Sequence, residues 1–283
     1  MFILNVQEKI KYYFDKQYVS KDYFMHFGRK LNWNHPTRYS EKINILKISE
    51  KSELLTPYVD KYLVREFVQK SIGDKYLVPL LGEYRNSAHI PFDTLPNEFV
   101  LKTNHSSGTN IICKDKNGMN IKDTLNQLNY WMKKNYYNST GRERQYKNIQ
   151  RRILCEKYLD EGQSGLTDYK IYFFEGKPYF IRRMAGRYSD LSKSTHGINW
   201  ELLPFTIYSE HEVDPRSIKK PKNLAKMVEL ASILAQPFNA VRVDFYNLNG
   251  QLYFGELTFT PAAGIQHFLP DKYDEFFGSK FML

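Results

Sequence analysis

The chain has 283 residues, of which 42% are hydrophobic and 16% are aromatic. This composition excludes a disordered or fibrous protein and leaves room for one large domain or several packed subdomains. Lysine and arginine outnumber aspartate and glutamate by 41 to 31, for a net charge of +10. The excess favours anionic partners, or serves solubility alone. The cysteines Cys113 and Cys155 are too few for a disulfide framework and indicate a reducing cytoplasm.

Residues 1–58 are predicted to form helices that are interrupted by a loop at "NWNHPTRYSEK". A helix is expected to start near Ser40 and Glu41. The first apolar run is only four or five residues long, which is too short for a signal peptide, and no stretch has the length of a membrane span. The first thirty residues mix lysine with tyrosine and phenylalanine. This pattern is compatible with a packed helix and with peripheral membrane contact.

Residues 59–150 alternate between helix and strand. A helix with apolar residues at helical spacing runs from Asp60 to a C-cap at Gly73, and "YLVPLLGEY" follows as a buried strand. Two short strands, residues 99–103 and 110–114, flank a loop of small residues at 105–109. Residues 121–150, which end this region, are predicted to be largely helical.

Residues 151–283 contain a strand in "RRILCEKYLDEG" and a hairpin that turns at Glu175-Gly176. An amphipathic helix follows in "NLAKMVELASILAQPF", and then a second hairpin, "VRVDFYNLNGQLYFGELTFTP". The elements together predict an α+β fold, in which a helical N-terminal part precedes two α+β halves with a cleft between them.

The second hairpin holds Asp244 and Glu256 among large apolar residues, where carboxylates are costly unless a cation compensates them. A two-residue Asn-Gly turn would put these carboxylates on opposite faces. A three-residue Leu-Asn-Gly loop would pair Arg242 with Glu256 and gather both with Asp244 and Thr258 on one face. That arrangement suits Mg²⁺ beside an arginine that holds a phosphoryl group. The alternative is a structural Arg–Glu pair with Asp244 in solvent.

Two further stretches are compatible with a nucleotide. Lys102 ends a strand before the small-residue loop, whose backbone N–H groups can cover a polyphosphate. The loop leads into a strand, so it is no Walker-type loop, and an ordinary hairpin loop is the alternative. The strand at 153–157 runs into a connection whose backbone N–H and C=O groups can form hydrogen bonds with adenine. An ordinary strand at the border of a sheet has the same pattern.

These stretches, in this order, resemble the ATP-grasp superfamily, and within it the TupA-like branch linked to teichuronopeptide and capsular polysaccharide synthesis. The resemblance covers nearly the whole chain. It implies an ATP-grasp fold with two α+β subdomains that grip ATP, at residues 59–150 and 151–283. The stretches that carry it are "KLNWNHPTRYSEKINILKI", "LLTPYVDKYLVREFV", "YLVPLLGEY", "FVLKTNHSSGTNIICKD", "RQYKNIQRRILCEKYL", "DYKIYFFEGKPYFI" and "VRVDFYNLNGQLYFGELTFTPAAG".

The resemblance implies an ATP site whose residues bind phosphate, adenine or ribose. They are Lys61 and Lys102 for the phosphates, Ser106, Ser107 and Gly108 in the loop over them, Glu156, Lys157 and Leu159 in the adenine hinge, and Asp160 or Asp168 for the ribose.

The resemblance also assigns the reacting centre. Asp244 and Glu256 match the Mg²⁺ carboxylates, and Arg242 matches the arginine that steadies an acyl phosphate. Lys170 resembles a basic residue directed at phosphate or substrate. The third metal position is Asn in many relatives and is Thr258 here, whose hydroxyl can still coordinate.

The implied activity is an ATP-dependent carboxylate–amine ligation in the cytoplasm or at the inner face of the membrane, with ATP and Mg²⁺. The expected partners are an amino acid and an acidic sugar, such as a uronic acid, with no nucleic acid. Arg182, Arg183 and Arg187 either bind the acid's carboxylate or form a solvated basic stripe. The three histidines considered as a general base are expected to be loop or core residues: His105, His196 and His267.

Three other activities remain open. A phosphotransferase on the same fold would need no amine, and a glycosyltransferase would consume a nucleotide sugar. A binding module for RNA or glycan would use basic and aromatic residues without catalysis.

Overall fold

The computed structural model describes residues 6–139, 141–159, 166–186 and 190–283. Its helices are α1 Val6–Phe27, α2 Tyr39–Ile48, α3 Thr56–Val59, α4 Val64–Ile72, α5 Ile121–Lys133, α6 Tyr136–Ser139, α7 Leu224–Ala235 and α8 Lys272–Gly278. Its strands are β1 Leu80–Tyr84, β2 Phe99–Thr103, β3 Asn110–Cys113, β4 Ile153–Lys157, β5 Asp168–Phe174, β6 Lys177–Ala185, β7 Ser192–His196, β8 Thr206–Ile207, β9 Ala240–Leu248, β10 Gln251–Thr258 and β11 Phe268–Leu269.

The first sheet is antiparallel and has the strand order β1-β4-β2-β3. One face is apolar because alternate residues of β2 and β4 point to it, and this face packs against Leu128 of α5. The other face carries Lys102 and Glu156. Strand β4 pairs with β1 and β2, so this sheet extends past the boundary expected at residue 150.

The second sheet is antiparallel, with the strand order β10-β9-β5-β6-β7. All seven residues of its central strand, β5, are buried. Tyr169, Ile171 and Phe173 point to the face that is covered by the apolar side of α7. Lys170 and Tyr172 alternate with them and therefore point to the other face.

Part of that other face is closed by an aromatic cluster from the two ends of the chain. Tyr39 and Ile43 of α2 pack with Phe277 of α8 against Tyr172 and Phe180 of the sheet. The cluster covers the ends of β5 and β6 and lies beside the charged residues of this face. The N-terminal region is therefore built into the second half of the protein.

Helix α1 packs through a narrow inner face. Val19 and Tyr23 join Leu31 and Ile48 in a small core, and the Tyr23 hydroxyl lies 3.1 Å from Ser40 Oγ. None of the described helices has the length and apolar character needed to cross a membrane.

Most of the predicted elements are confirmed, with shorter bounds. The helix expected from Asp60 begins at Val64 and ends before Gly73, whose φ of 100° only glycine adopts readily. The strand at Leu80–Tyr84 is half-exposed on average and not buried. Residues 121–150 are helical only in part, because α5 ends at Lys133 and short turns follow.

Of the two turns considered for the second hairpin, the structure has the two-residue turn and not the three-residue loop. Leu248 pairs with Gln251 across a two-residue turn, in which the residues at 249 and 250 have φ values of 50° and 94°. A bulge at Gly255 then shifts the register, so that Glu256 lies opposite Asp244. The extra residue returns both carboxylates to one face, by a different route and in a different pairing from the one expected.

Buried His196 makes stability depend on pH. Its ring stacks on Trp200 at 3.8 Å, and burial, with Arg183 and Arg182, lowers its pKa to about 4. Between pH 4 and 6.5 the unfolded chain binds this proton and the folded chain does not, so acid favours unfolding. We expect the step from pH 7 to pH 5 to remove about 2 kcal/mol of unfolding free energy through this residue.

Urea denaturation at both pH values checks this expectation. His196→Asn should lose stability at pH 7 but show a smaller further loss at pH 5. His35→Asn, which changes an exposed histidine, should keep the wild-type difference. An unchanged pH dependence in His196→Asn would contradict the assignment.

Candidate functional site

A row of charged side chains crosses the polar face of the second sheet. Glu256 of β10 lies opposite Asp244 of β9. Asp244 in turn lies opposite Lys170 of β5, and Lys170 lies opposite Arg182 of β6. Directly paired residues share one face and stand about 5 Å apart. The sheet therefore sets two carboxylates beside two cations in one line.

Arg242 organises the carboxylate end of this row. Its Nε and Nη2 donate to the two oxygens of Asp244, each at 2.7 Å. The same Nη2 donates to Glu256 Oε1 at 2.8 Å and to Thr258 Oγ1 at 2.9 Å. The four residues expected to act together are thus in direct contact.

Lys170 joins the cluster from the neighbouring strand. Its Nζ lies 2.7 Å from Asp168 Oδ2 and also donates to Asp244 Oδ2. Burial and Arg242 disfavour the charge of Lys170, but Asp168, Asp244 and Glu256 outweigh both and raise its pKa. Lys170 is therefore a fixed cation at neutral pH.

Glu256 is the most accessible carboxylate of the cluster. Its side chain is 37% exposed, against 2% for Asp244. Burial works to raise the pKa of Glu256, but Arg242, Lys170 and Lys61 together lower it to about 2. Lys61 comes from the first half of the protein, so the two halves meet electrostatically at Glu256.

The first half contributes the two lysines expected at the phosphates. Lys61 Nζ donates to the backbone oxygen of Ser106 at 2.6 Å, and burial lowers the pKa of Lys61 while Glu256 offsets part of that shift. Lys102 Nζ lies 2.6 Å from Glu156 Oε2. Both lysines thus line the same side of the first sheet and its loop.

The small-residue loop is shaped by hydroxyl contacts at its base. Thr103, Ser106 and Thr109 lie within 2.6 to 2.7 Å of one another through their side-chain oxygens. Ser107 and Gly108 at the tip are exposed, and a side chain on Gly108 would meet open space. The loop therefore has a fixed base and a tip that is free to meet a ligand.

Asn104 is a site residue that sequence reasoning missed. It is fully buried, and its amide donates to Asp60 Oδ1 and to the Gln150 carbonyl, each at 2.9 Å. Its carbonyl oxygen accepts from the backbone N–H of Arg152 at 2.7 Å. These contacts fix the segment of Lys61 to the loop, and no local sequence pattern reveals them.

The residues expected at the adenine hinge differ in their exposure and contacts. Glu156 is buried between Lys102 and Arg65, whereas Lys157 is exposed and Leu159 is buried. Asp160 lies outside the described residues. Asp168, the other candidate for the ribose, is engaged by Lys170.

Arg182 and Arg183, two of the three arginines expected at the substrate, point to opposite faces of the sheet. Arg182 is buried, and its guanidinium grips Glu212 with both nitrogens and donates to Thr195 Oγ1 at 2.8 Å. Arg183 points to the other face of the sheet and donates to Ser192 Oγ at 3.2 Å. Arg187 lies outside the described residues.

His105, beside the loop, is buried, and burial with Arg151 and Lys61 lowers its pKa to about 4. His196 is buried as described above, and His267 stacks on Phe27 with ring centres 4.4 Å apart. At neutral pH His105 and His196 are uncharged core residues, in agreement with the sequence analysis.

The turn after β10 has the sequence Ala262-Ala263-Gly264 and is strained. Ala262 and Ala263 both adopt left-handed backbone conformations with φ of 51°, which cost energy for residues other than glycine. Lys47 of α2 donates to the Ala263 oxygen and Asn44 to the Gly264 oxygen, each at 2.7 Å. Helix α2 thus holds the turn beside the cluster in a strained shape.

The donor set fits a magnesium ion. Mg²⁺ takes one or two protein carboxylates and completes its shell with water and phosphate oxygens, and Asp244, Glu256 and Thr258 supply two carboxylates and a hydroxyl. Among the residues that the structure describes, no group of three or more histidine, cysteine or acidic side chains is arranged to hold a metal alone. A site of this kind would therefore need the ligand's phosphates.

Comparison with solved structures finds several similar proteins. The chain is similar to D-alanine–D-alanine ligase from Bacillus anthracis complexed with ATP, at 16% identity over 72% of this chain and 54% of that one, with a TM-score of 0.41. The corresponding enzyme from Helicobacter pylori shows 14% identity over 81% and 64%, with a TM-score of 0.42.

The ATP-grasp ligase PsnB, solved with minimal precursor, Mg and ADP, shows 10% identity over 75% of this chain and 52% of that one, with a TM-score of 0.38. The chain thus spans little more than half the length of several of these proteins. No curated protein sequence matches it significantly.

A family model provides the assignment. The model described as TupA-like ATPgrasp matches residues 41–282 and so takes in the lysines, the loop and the Arg242 cluster. Because the match covers most of the chain, the protein belongs to the TupA-like ATP-grasp family and has the ATP-grasp fold.

Proposed function

We propose that the protein is an ATP-dependent carboxylate–amine ligase that forms an amide through an acyl phosphate. The observation that carries the proposal is that the charge of Lys61, which lies near Lys102 in the first half, acts on Glu256 in the second half. Glu256 in turn accepts a hydrogen bond from Arg242, which also holds Asp244. Such a site can hold a triphosphate between cations and acidic metal ligands. Family membership supports the same activity.

In this reaction a carboxylate oxygen of the acceptor attacks the γ-phosphorus of ATP, and the bond to the bridging oxygen of ADP breaks. The amine nitrogen then attacks the acyl carbon, the bond to phosphate breaks, and the nitrogen loses a proton as the amide forms. Lys61 and Lys102 neutralise the phosphates, and Arg242 and Lys170 face the charge that develops on the transferred group. Ser107 and Gly108 at the loop tip exclude water from the reactive intermediate.

Asp244, Glu256 and Thr258 are the proposed metal ligands. Mg²⁺, when bound there, supplies charge neutralisation on the phosphates. Lys170 and Arg242 already satisfy both oxygens of buried Asp244, whereas Glu256 keeps an accessible side chain. We therefore propose that Glu256 would be the carboxylate most available to the metal, whereas Asp244 mainly holds Lys170 and Arg242 in place.

We propose that the acceptor is an acidic sugar and that the amine is an amino acid. The acidic sugar to be tested is a uronic acid of a capsular or cell-wall polysaccharide. Lys170 and Arg182 continue the charged row beyond the carboxylates, on the side where an anionic acceptor would lie. In this structure the Glu212 carboxylate accepts hydrogen bonds from both terminal nitrogens of the Arg182 guanidinium. An acceptor carboxylate would compete with Glu212 for these nitrogens. The ATP requirement places the reaction in the cytoplasm, and a lipid-linked acceptor would bring it to the inner face of the membrane.

Replacing Glu256 tests the reacting centre. Glu256→Gln removes one charge at a partly exposed position, so we expect the fold to persist and kcat for ADP release to fall at least about 100-fold. Asp244→Asn is a poorer test because it leaves two buried cations less compensated and lowers stability as well. Glu66→Gln, in an exposed ion pair with Lys70, is the matched control and should be fully active. Full activity of Glu256→Gln would contradict the metal assignment.

The fate of a labelled carboxylate separates the ligase from its rivals. With an acceptor uronate whose carboxylate carries a heavy oxygen isotope, an acyl phosphate delivers one labelled oxygen to the released phosphate. Mass spectrometry of that phosphate should show the label, and ADP release should require both uronate and amino acid. ADP release with the sugar alone would indicate a phosphotransferase, and consumption of a nucleotide sugar without ATP would indicate a glycosyltransferase.

Replacing Glu212 tests whether the acceptor binds at Arg182. Glu212→Gln weakens the internal pair with Arg182, so we expect the KM for an anionic acceptor to fall several-fold while kcat changes little. Glu210→Gln, an exposed charge change on the same loop, should leave KM unchanged. An unaltered KM in Glu212→Gln would remove Arg182 from the acceptor site.

A further inference from the structure

Helix α1 presents a broad apolar and aromatic face that is largely exposed, although the Arg142 guanidinium lies over the Tyr18 ring, 5.0 Å from its centre. Seven large side chains on it are between 43% and 72% exposed. At 3.6 residues per turn their positions fall within about 140° of the helix circumference, so they form one continuous face. These residues are Val6, Ile10, Tyr13, Phe14, Tyr18, Phe24 and Met25.

The acidic residues of α1 all lie on the opposite side, toward the protein. Glu8 accepts from Arg144 and Lys147, at 3.0 and 3.1 Å. Asp15 is buried and accepts a hydrogen bond from the Tyr137 hydroxyl. Asp22 lies on the same side by helical spacing. The negative charges of the helix are therefore turned inward.

The lysines of α1 border the apolar face or lie within it. By the same spacing, Lys9 and Lys16 flank one edge, Lys11 flanks the other, and Lys21 stands inside the face. Lys9 and Lys21 are exposed. The outward charge of the helix is thus positive, next to a face of tyrosine, phenylalanine and aliphatic residues.

We propose that α1 docks on an anionic phospholipid membrane, lying in the plane of the interface with this face among the headgroups. Interfacial helices combine an apolar, aromatic-rich face with flanking lysines that meet anionic lipids. Tyrosine suits this depth because its ring is apolar and its hydroxyl is polar. The helix is not apolar enough to span a bilayer, so it lies on the surface.

A second copy of the chain fits this face less well. In a symmetric dimer the same patch meets itself, so the lysines of one helix would face the lysines of the other. Like charges brought together across an interface are costly. Lys11 and Lys16 lie over the rings of Tyr137 and Trp33, whereas an anionic bilayer would meet the exposed Lys9 and Lys21 favourably.

The test is co-sedimentation of the full chain with vesicles, without ATP or any substrate, so its outcome is independent of the proposed reaction. Wild-type protein should pellet with an equimolar mixture of phosphatidylcholine and phosphatidylglycerol, more weakly with phosphatidylcholine alone, and less as salt is raised. The double variant Ile10→Ser/Phe14→Ser should bind the mixed vesicles at least about tenfold more weakly. Lys9→Gln/Lys21→Gln should lose about fivefold per lysine on the mixed vesicles only.

The control variant is Leu54→Ser/Tyr130→Ser, which removes two exposed apolar side chains elsewhere and should bind as wild type does. Circular dichroism and thermal unfolding verify that each variant is folded. Absence of wild-type binding to the mixed vesicles, or undiminished binding by Ile10→Ser/Phe14→Ser, would overturn the proposal. Light scattering that shows a lipid-free dimer split by Ile10→Ser/Phe14→Ser would identify the face as a contact between copies instead.

Discussion

The compensation of buried Arg242 is the constraint on which the site depends. A guanidinium taken out of water needs carboxylates in good geometry, and Asp244 and Glu256 supply them with Thr258 as a further acceptor. The arrangement requires three neighbouring strands to keep their register, because Lys170 of β5 completes the charge balance. The stability of the sheet and the geometry of the reacting groups thus rest on the same contacts.

Patterns that repeat along the chain were sufficient to predict much of the fold. Alternation of apolar and polar residues in β5, β6 and β9 reflects a sheet with one face on α7, and the spacing in residues 224–235 reflects the helix that covers it. The family match confirms the predicted recognition and the ATP-grasp fold. The roles given to individual site residues remain predictions, although the structure brings Lys61, Lys170 and the Arg242 cluster together.

What the sequence could not reveal depends on single residues and long-range contacts. Asp244 and Glu256 are an even number of residues apart, so they can share one face only if one residue of the hairpin is unpaired. A longer loop and the bulge at Gly255 both meet this condition. The grip of Arg182 on Glu212 and the links of Asn104 to Asp60 and Gln150 join residues far apart in the chain. Such contacts have no periodic signal, so only the folded structure shows them.

Helix α1 is held by ion pairs against the segment around residue 145. Glu8 binds Arg144 and Lys147, and the neighbouring Gln145 donates to Thr260 just after β10. A lipid anchor on a flexible tether lets an enzyme sweep a volume whose radius grows with tether length. If α1 docks on a membrane as proposed, this firm mounting would hold the site at one height and one tilt, and acceptors within a narrow layer above the bilayer would be within reach.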